Sequence, residues 1–196
     1  MSEAHALRVE RARQAKPNGW WGMALFVATE ATLFGTLIGS YFYLRFNTIQ
    51  WPPPGVPDPK VTLPLVLTGV LVATSLPMQA AARAAENGMR GRAWRLLALA
   101  LVVQAGYFAM QVHLFAEDLG KVHPQESSYG SIYVTLVGAD HAHVFIGLLL
   151  DLWFLARLAA GLTGYRLVGL RAAAFYWHFV NAATVAVVLT QLSPSL

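Results

Sequence analysis

The stretch WWGMALFVATEATLFGTLIGSYFYLR, residues 20–45, decides the fold of this chain. It contains a single acidic residue, Glu30, among apolar, small, hydroxylic and aromatic side chains. A helix that crosses a bilayer needs about 20 residues at about 1.5 Å each, so the stretch is long enough to span. Paired tryptophans at one end and two tyrosines near the other match the aromatic rings found at both membrane surfaces. We therefore predict a transmembrane helix over residues 20–45.

Glu30 is the residue in this stretch that needs an explanation. Counted from Gly22, it lies roughly 12 Å along the helix axis. A carboxylate at such a depth is costly unless it is protonated, paired, or facing protein or water. The sequence leaves two interpretations open, a proton-handling group and a packing residue.

The composition is that of a membrane protein. Of 196 residues, 56% are hydrophobic and only 12% are charged, which is too apolar for an ordinary soluble domain. Cysteine is absent, so disulfides, thiolate metal sites and cysteine nucleophiles are excluded. The net charge of +4 is explained by basic residues that set membrane orientation, and no nucleic-acid partner is predicted.

Four more apolar runs predict further membrane-spanning helices, which gives an all-α bundle of five. The second run contains Pro77, which predicts a kink near residues 75–77. Five prolines within residues 51–59 exclude a helix there. Residues 1–19 are polar and basic, and we interpret them as a cytoplasmic segment, helical over 3–14. The predicted transmembrane domain, residues 20–192, comprises helices at about 20–45, 63–84, 93–115, 131–158 and 172–192.

Basic residues predict the orientation of the bundle. Eleven of the fourteen Lys and Arg residues lie in the N-terminal segment and in the turns at 83–95 and 157–171. The other side has only Arg45, Lys60 and Lys121. Because positive loops stay inside, we expect a cytoplasmic N-terminus and a C-terminus on the outer, periplasmic side.

Several polar side chains fall inside the predicted helices. Asp151 and His178 lie on consecutive helices at similar depth, which predicts a hydrogen-bonded pair. Buried groups of this kind either form a proton path or ligand site, or tie helices together without chemistry, and both interpretations stay open. The set consists of Glu30, His113, Asp140, His141, His143, Asp151 and His178.

No metal-binding motif accompanies these residues, and no metal site is predicted. HExxH and Glu-x-x-His patterns are missing. A bis-histidine haem between His143 and His178 stays open. His141 and His143 are two positions apart, so we expect them on different helix faces. The small residues of GTLIG, at 35–39, are typical of close helix packing.

Five motifs together resemble the subunit III family of haem–copper terminal oxidases, the cytochrome c oxidase subunit III family. The similarity holds in order and spacing over about residues 20–185. The residues that match are WWGMALFVATEATLF at 20–34, WPPPG at 51–55, LPLVLTGVLVATS at 63–75, YGSIYVTLVGADHAHVFIGLL at 129–149 and FYWHFVNAATV at 175–185. The chain looks like the short, five-helix form of the family, without the first two helices of longer members.

Three positions depart from the family pattern. Asp140 stands where a histidine is usual, Asn181 stands where an aspartate is usual, and Leu114 replaces a common glutamate. These departures are also compatible with a related accessory subunit of a nitric oxide reductase. The buried acids and histidines are also compatible with a proton-coupled transporter or a membrane cytochrome.

The resemblance implies a non-catalytic subunit of an oxidase complex in aerobic electron transport, in a prokaryotic plasma membrane. Haem and copper are then held by partner subunits, and this chain has no redox cofactor of its own. The implied partners are subunit I, subunit II, other oxidase or supercomplex subunits, and bound phospholipid. Glu30 corresponds to the family's buried carboxylate, and Arg157 to an arginine that contacts a lipid headgroup.

Overall fold

The computed structural model describes residues 18–56, 61–161 and 168–195. The N-terminal segment 1–19, with its predicted helix over 3–14, lies almost wholly outside the described residues, as do residues 57–60 and 162–167. Every regular element within the described ranges is helical. The elements are α1 (Asn18–Phe46), α2 (Thr62–Ala73), α3 (Ser75–Glu86), α4 (Arg90–Leu119), α5 (Ser128–Ala159), α6 (Val168–Leu192) and a 3₁₀ turn (Ser193–Ser195).

Five stretches of the described chain are long and apolar enough to cross a membrane, because α2 and α3 follow one another as one stretch, Thr62–Glu86. The all-α, five-span architecture expected from the sequence is therefore confirmed. The helices run beyond the predicted apolar runs at several ends; α4, for example, continues to Leu119. Polar residues extend a helix past the membrane without appearing in a hydropathy pattern.

The predicted kink in the second span is confirmed as a break at Thr74. The backbone N–H and the hydroxyl of Thr74 both donate to the carbonyl oxygen of Leu71, at 3.0 and 2.5 Å. Pro77 lacks an N–H, so the helical hydrogen-bond ladder is interrupted on its other side as well. The second span thus consists of two helices.

Short turns connect the helices. Gly88 has φ +72°, a left-handed conformation that glycine adopts easily, and it reverses the chain between α3 and α4. Ser127 caps α5, since its hydroxyl accepts the backbone N–H of Gly130 at 3.0 Å. Residues 51–56 form turns and no helix, as the prolines predict.

The last helix is the centre of the bundle. α6 packs against α1, α2, α3 and α5, and 61% of the residues in its most apolar stretch are buried. α1 packs on α5 and α6, and only 6% of the residues in its most apolar stretch are buried within this chain. The helix that contains Glu30 therefore lies at the edge of the bundle, with one side open to lipid or to another protein.

Close helix packing occurs at Gly147 rather than at GTLIG. A Cβ atom at Gly147 would lie 2.5 Å from Cζ3 of Trp177. A Cβ at Gly35 or Gly39 would meet nothing within 4 Å. The expectation that GTLIG marks close packing is therefore wrong for contacts within the described chain.

Candidate functional site

Glu30 of α1 and His143 of α5 form the central polar contact of the bundle. Glu30 Oε2 lies 3.0 Å from His143 Nε2. The side chain of His143 is 9% exposed and that of Glu30 is 20% exposed. The carboxyl group that the sequence left without a partner therefore has one, a histidine on a helix far away in the chain.

The other ring nitrogen determines what this contact can be. His143 Nδ1 lies 2.7 Å from the carbonyl oxygen of Ala139, which can only accept. Nδ1 therefore has the hydrogen, and a hydrogen bond at Nε2 requires one further proton, on Glu30 or on the imidazole. In either arrangement the pair holds one shared proton and has no net charge, which makes it compatible with a membrane interior.

Aromatic rings enclose the pair. Phe34 meets the His143 ring edge-on at a centroid distance of 4.9 Å, and Phe179 lies at 6.5 Å. The Tyr176 hydroxyl donates to the carbonyl oxygen of His143 at 3.0 Å. Helices α1, α5 and α6 thus hold the imidazole in one orientation, while the exposed part of Glu30 faces away from the bundle.

His178 lies at the α2–α3 break. Its Nε2 is 3.1 Å from Gln79 Oε1, and its Nδ1 is 3.3 Å from Ser75 Oγ. Asn181 Nδ2 donates to the same Ser75 oxygen at 2.6 Å. Since Gln79 Oε1 accepts from Nε2, Nδ1 is the acceptor, and both ring nitrogens of a neutral His178 are occupied.

The predicted pair of Asp151 and His178 is therefore wrong. Asp151, only 1% exposed, meets the fully buried Gln104 of α4 instead. No hydrogen bond of normal distance and angle is formed with the described residues by Asp151 Oδ2, or by the amide oxygen and nitrogen of Gln104. Asp151 and His178 do lie on neighbouring helices, but their side chains face different residues.

Asp140 and His141 lie on α5 close to His143 but have other partners. Thr184 donates to Asp140 Oδ1 at 2.7 Å. His141 stacks on Phe115 of α4 at a centroid distance of 5.1 Å. The prediction that His141 and His143 occupy different helix faces is confirmed, because His143 faces α1 and His141 faces α4.

Arg157 lies near the end of α5. Its guanidinium carbon is 4.5 Å from the centre of the Trp153 ring, a cation–π contact. Its Nε is buried and has no hydrogen-bond partner among the described residues. The predicted contact with a lipid headgroup stays a prediction.

Within residues 18–56, 61–161 and 168–195, no three His, Asp or Glu side chains converge as a metal site. His143 and His178 are each engaged by other side chains, so the arrangement does not favour a haem between them. Sequence reasoning assigned no polar contact to Gln104, Thr184 or Tyr176. Thr184 and Tyr176 lie within the motif at 175–185, but the motif does not show which way their side chains face, and Gln104 lies outside all five motifs. Sequence reasoning also missed the partnership of Glu30 with His143.

Comparisons with known proteins agree with this architecture. The family model described as cytochrome c oxidase subunit III matches residues 5–190. Cytochrome bo(3) ubiquinol oxidase subunit 3 of Pseudomonas aeruginosa is 28% identical, over 91% of this chain and 86% of that protein. Cytochrome c oxidase subunit 3 of Bacillus subtilis is 30% identical, over 86% of this chain and 82% of its own length. That of Gallus gallus is 30% identical, and the match covers 82% of this chain and 64% of the bird protein.

Proposed function

Since the chain belongs to the cytochrome c oxidase subunit III family, we propose that it is a non-catalytic subunit of a respiratory haem–copper oxidase. It stabilises the oxygen-reducing subunit I, and subunit II and other oxidase or supercomplex subunits complete the assembly. The relatives named above are subunits of cytochrome c and ubiquinol oxidases. The proposal therefore covers oxygen reduction coupled to proton pumping. It does not assign the electron donor of the complex.

The observation that supports this proposal best is the open side of α1. Trp21, Leu25 and Tyr43 are 57%, 69% and 68% exposed, so this helix has large apolar side chains without a partner in the chain. A helix this apolar is covered by lipid or by another membrane protein. We propose that subunit I covers it and that the exposed part of Glu30 lies in that interface or in a lipid-lined cleft beside it.

Glu30 and His143 are the proposed proton-handling residues. A pair that shares one proton near a protein or lipid boundary can release and regain it with a small change in hydrogen bonding. Asp140 and His178 are proposed as polar residues that hold the helices together, because each has a hydrogen-bond partner on a neighbouring helix. Asp151 is proposed to do so through its contact with Gln104 of α4.

Bound phospholipid is part of the proposal. Arg157 has a free, buried Nε, and its guanidinium group lies over Trp153 near the end of a membrane helix. An anionic headgroup would form charge-assisted hydrogen bonds with this guanidinium group. With positive loops inside, Arg157 lies on the cytoplasmic side of a prokaryotic plasma membrane.

Purification through an affinity tag on this chain tests the function. In mild detergent we expect haem-containing subunits to co-purify, with oxygen consumption that follows the tagged chain. The reduced-minus-oxidised visible spectrum should belong to the partner subunits and should be lost from this chain when it is separated. Stoichiometric haem on the separated chain, or purification without any haem protein, contradicts the proposal.

A further inference from the structure

A cavity of about 210 Å³ lies between α2, α4, α5 and α6. Its lining includes the start of α2, the end of α4, the first half of α5 and the end of α6, so it occupies the end of the bundle that holds the C-terminus. The Glu30–His143 pair is not among its lining residues. The function proposed above makes no use of this space.

The cavity is polar at both ends. Glu117, Asp118 and Lys121 line it near the end of α4. Asp140 and His141 line it at the other end, roughly 18 Å along α5 from Ser128. The space therefore leads from the surface of the bundle to a carboxyl group near the middle of a membrane-spanning helix.

His141 has an unused acceptor atom. Its Nδ1 lies 2.7 Å from the carbonyl oxygen of Val137, so Nδ1 has the hydrogen and Nε2 is a lone-pair acceptor. Nε2 is buried and has no hydrogen-bond partner among the described residues. Buried polar atoms are nearly always hydrogen-bonded, and His141 lines a cavity that has room for several water molecules.

The charges around the cavity favour cations. Three carboxyl groups, of Glu117, Asp118 and Asp140, line it together with one lysine, Lys121. Tyr133 donates to Asp118 Oδ2 at 2.6 Å, which orients that carboxylate without neutralising it. A small space lined mostly by one sign of charge concentrates ions of the opposite sign.

We propose that this cavity is a hydrated vestibule that admits water and small cations from the C-terminal side of the bundle to the carboxyl group of Asp140. The inference does not depend on the oxidase function, because it rests on the cavity, its acidic lining and the free acceptor of His141. A lipid acyl chain is the competing occupant, and it would leave the polar floor without partners.

The absence of cysteine from the chain makes the test direct. Four variants with one cysteine each are made and assembled into the complex in membrane vesicles. They are compared as two matched pairs. Val188→Cys lines the cavity and Leu189→Cys faces outward at the same depth; Leu114→Cys and Val112→Cys form the second pair. Membrane-impermeant cationic and anionic methanethiosulfonates are added to either side, and labelling is measured on this subunit after separation from its partners.

We expect Val188→Cys and Leu114→Cys to react at least about tenfold faster than their matched controls, because a thiol ionises only where water reaches it. We also expect the cationic reagent to react faster than the anionic one, and Asp140→Asn to reduce that difference at Leu114→Cys. Equal, slow labelling within both pairs overturns the vestibule. Labelling that appears only after lipid extraction assigns the cavity to an acyl chain and likewise overturns it.

Discussion

Glu30 and His143 are 113 positions apart in the chain, yet Glu30 Oε2 lies 3.0 Å from His143 Nε2. The hydrogen on His143 Nδ1 is committed to the carbonyl oxygen of Ala139, so the contact between the two side chains is made through one shared proton. A buried ionisable pair of this kind loses most when one member is removed and the other is left alone.

Glu30→Gln separates proton handling from packing. The glutamine amide can donate to His143 Nε2 with nearly the geometry of a protonated carboxyl, but it cannot titrate. We expect the complex to assemble at wild-type yield and to lose activity sooner during sustained turnover. The measurement is oxygen consumption over many turnovers, at several pH values across the neutral range.

Glu30→Ala is the packing control for this experiment. It leaves His143 Nε2 without a partner, and we expect a loss of about 1–3 kcal/mol in the stability of the α1–α5 contact. The chain should then separate from the complex more readily in detergent. Turnover of Glu30→Gln that matches wild type at every pH would leave Glu30 as a packing residue.

The sequence predicted the bundle because its signals are local. Apolar runs of membrane length, Pro77 in the second run and the proline cluster after Trp51 each act on their own stretch of chain. Five spans, a break at Thr74 and a loop without helix over 51–56 follow from them. The helix ends were less predictable, since polar residues lengthen α4 beyond the apolar run.

The contacts between helices could not be predicted in the same way. Helix rise gives the depth of a residue, but the direction of its side chain depends on how the helices are rotated against each other. Depth alone placed Asp151 with His178, whereas the structure places Asp151 with Gln104. The same limitation hid the contact between Glu30 and His143, which joins the first helix to the fourth span.

Gly147→Ala tests the tightest helix contact. The added methyl group would lie 2.5 Å from Cζ3 of Trp177, a fully buried ring whose indole N–H already donates to Thr74. We expect a loss of about 1–3 kcal/mol from overpacking and a lower midpoint of thermal release of this subunit.

Gly138→Ala is the matched control for that substitution. Gly138 lies on the same helix, and a Cβ there meets nothing within 4 Å. Its thermal release should stay close to wild type. Equal losses in the two alanine variants would show that the contact with Trp177 does not account for the change, since helix propensity favours alanine over glycine.

Membrane orientation can be tested with the same cysteine-free background. Glu126→Cys lies in the exposed turn before α5, and Asn87→Cys lies in the exposed turn after α3. The distribution of basic residues predicts labelling of Glu126→Cys from the outer side only, and of Asn87→Cys from the cytoplasmic side only. The reverse pattern contradicts the predicted topology.

Ser75→Ala tests whether the polar contacts at the break hold the second span to α6. One oxygen, Ser75 Oγ, accepts the amide of Asn181 at 2.6 Å and contacts His178 Nδ1 at 3.3 Å. Removing it leaves an N–H of the buried Asn181 amide without that acceptor, which costs about 1–3 kcal/mol, and it removes one contact of the half-buried His178 ring. We therefore expect easier release of the subunit from the complex, with the haem content of the complexes that remain unchanged.

Thr135→Ala is the control for the loss of a hydroxyl as such. The Thr135 hydroxyl donates to the carbonyl oxygen of Ser131 within α5, at an exposed position away from α1. Its removal leaves the Ser131 carbonyl its helical partner, so subunit release should match wild type. If Ser75→Ala behaves like Thr135→Ala, then apolar packing around Trp177, and not the polar contacts, holds the broken span in place. If the complexes that retain the Ser75→Ala subunit contain less haem per copy of this subunit than wild type, then His178 has a role beyond packing.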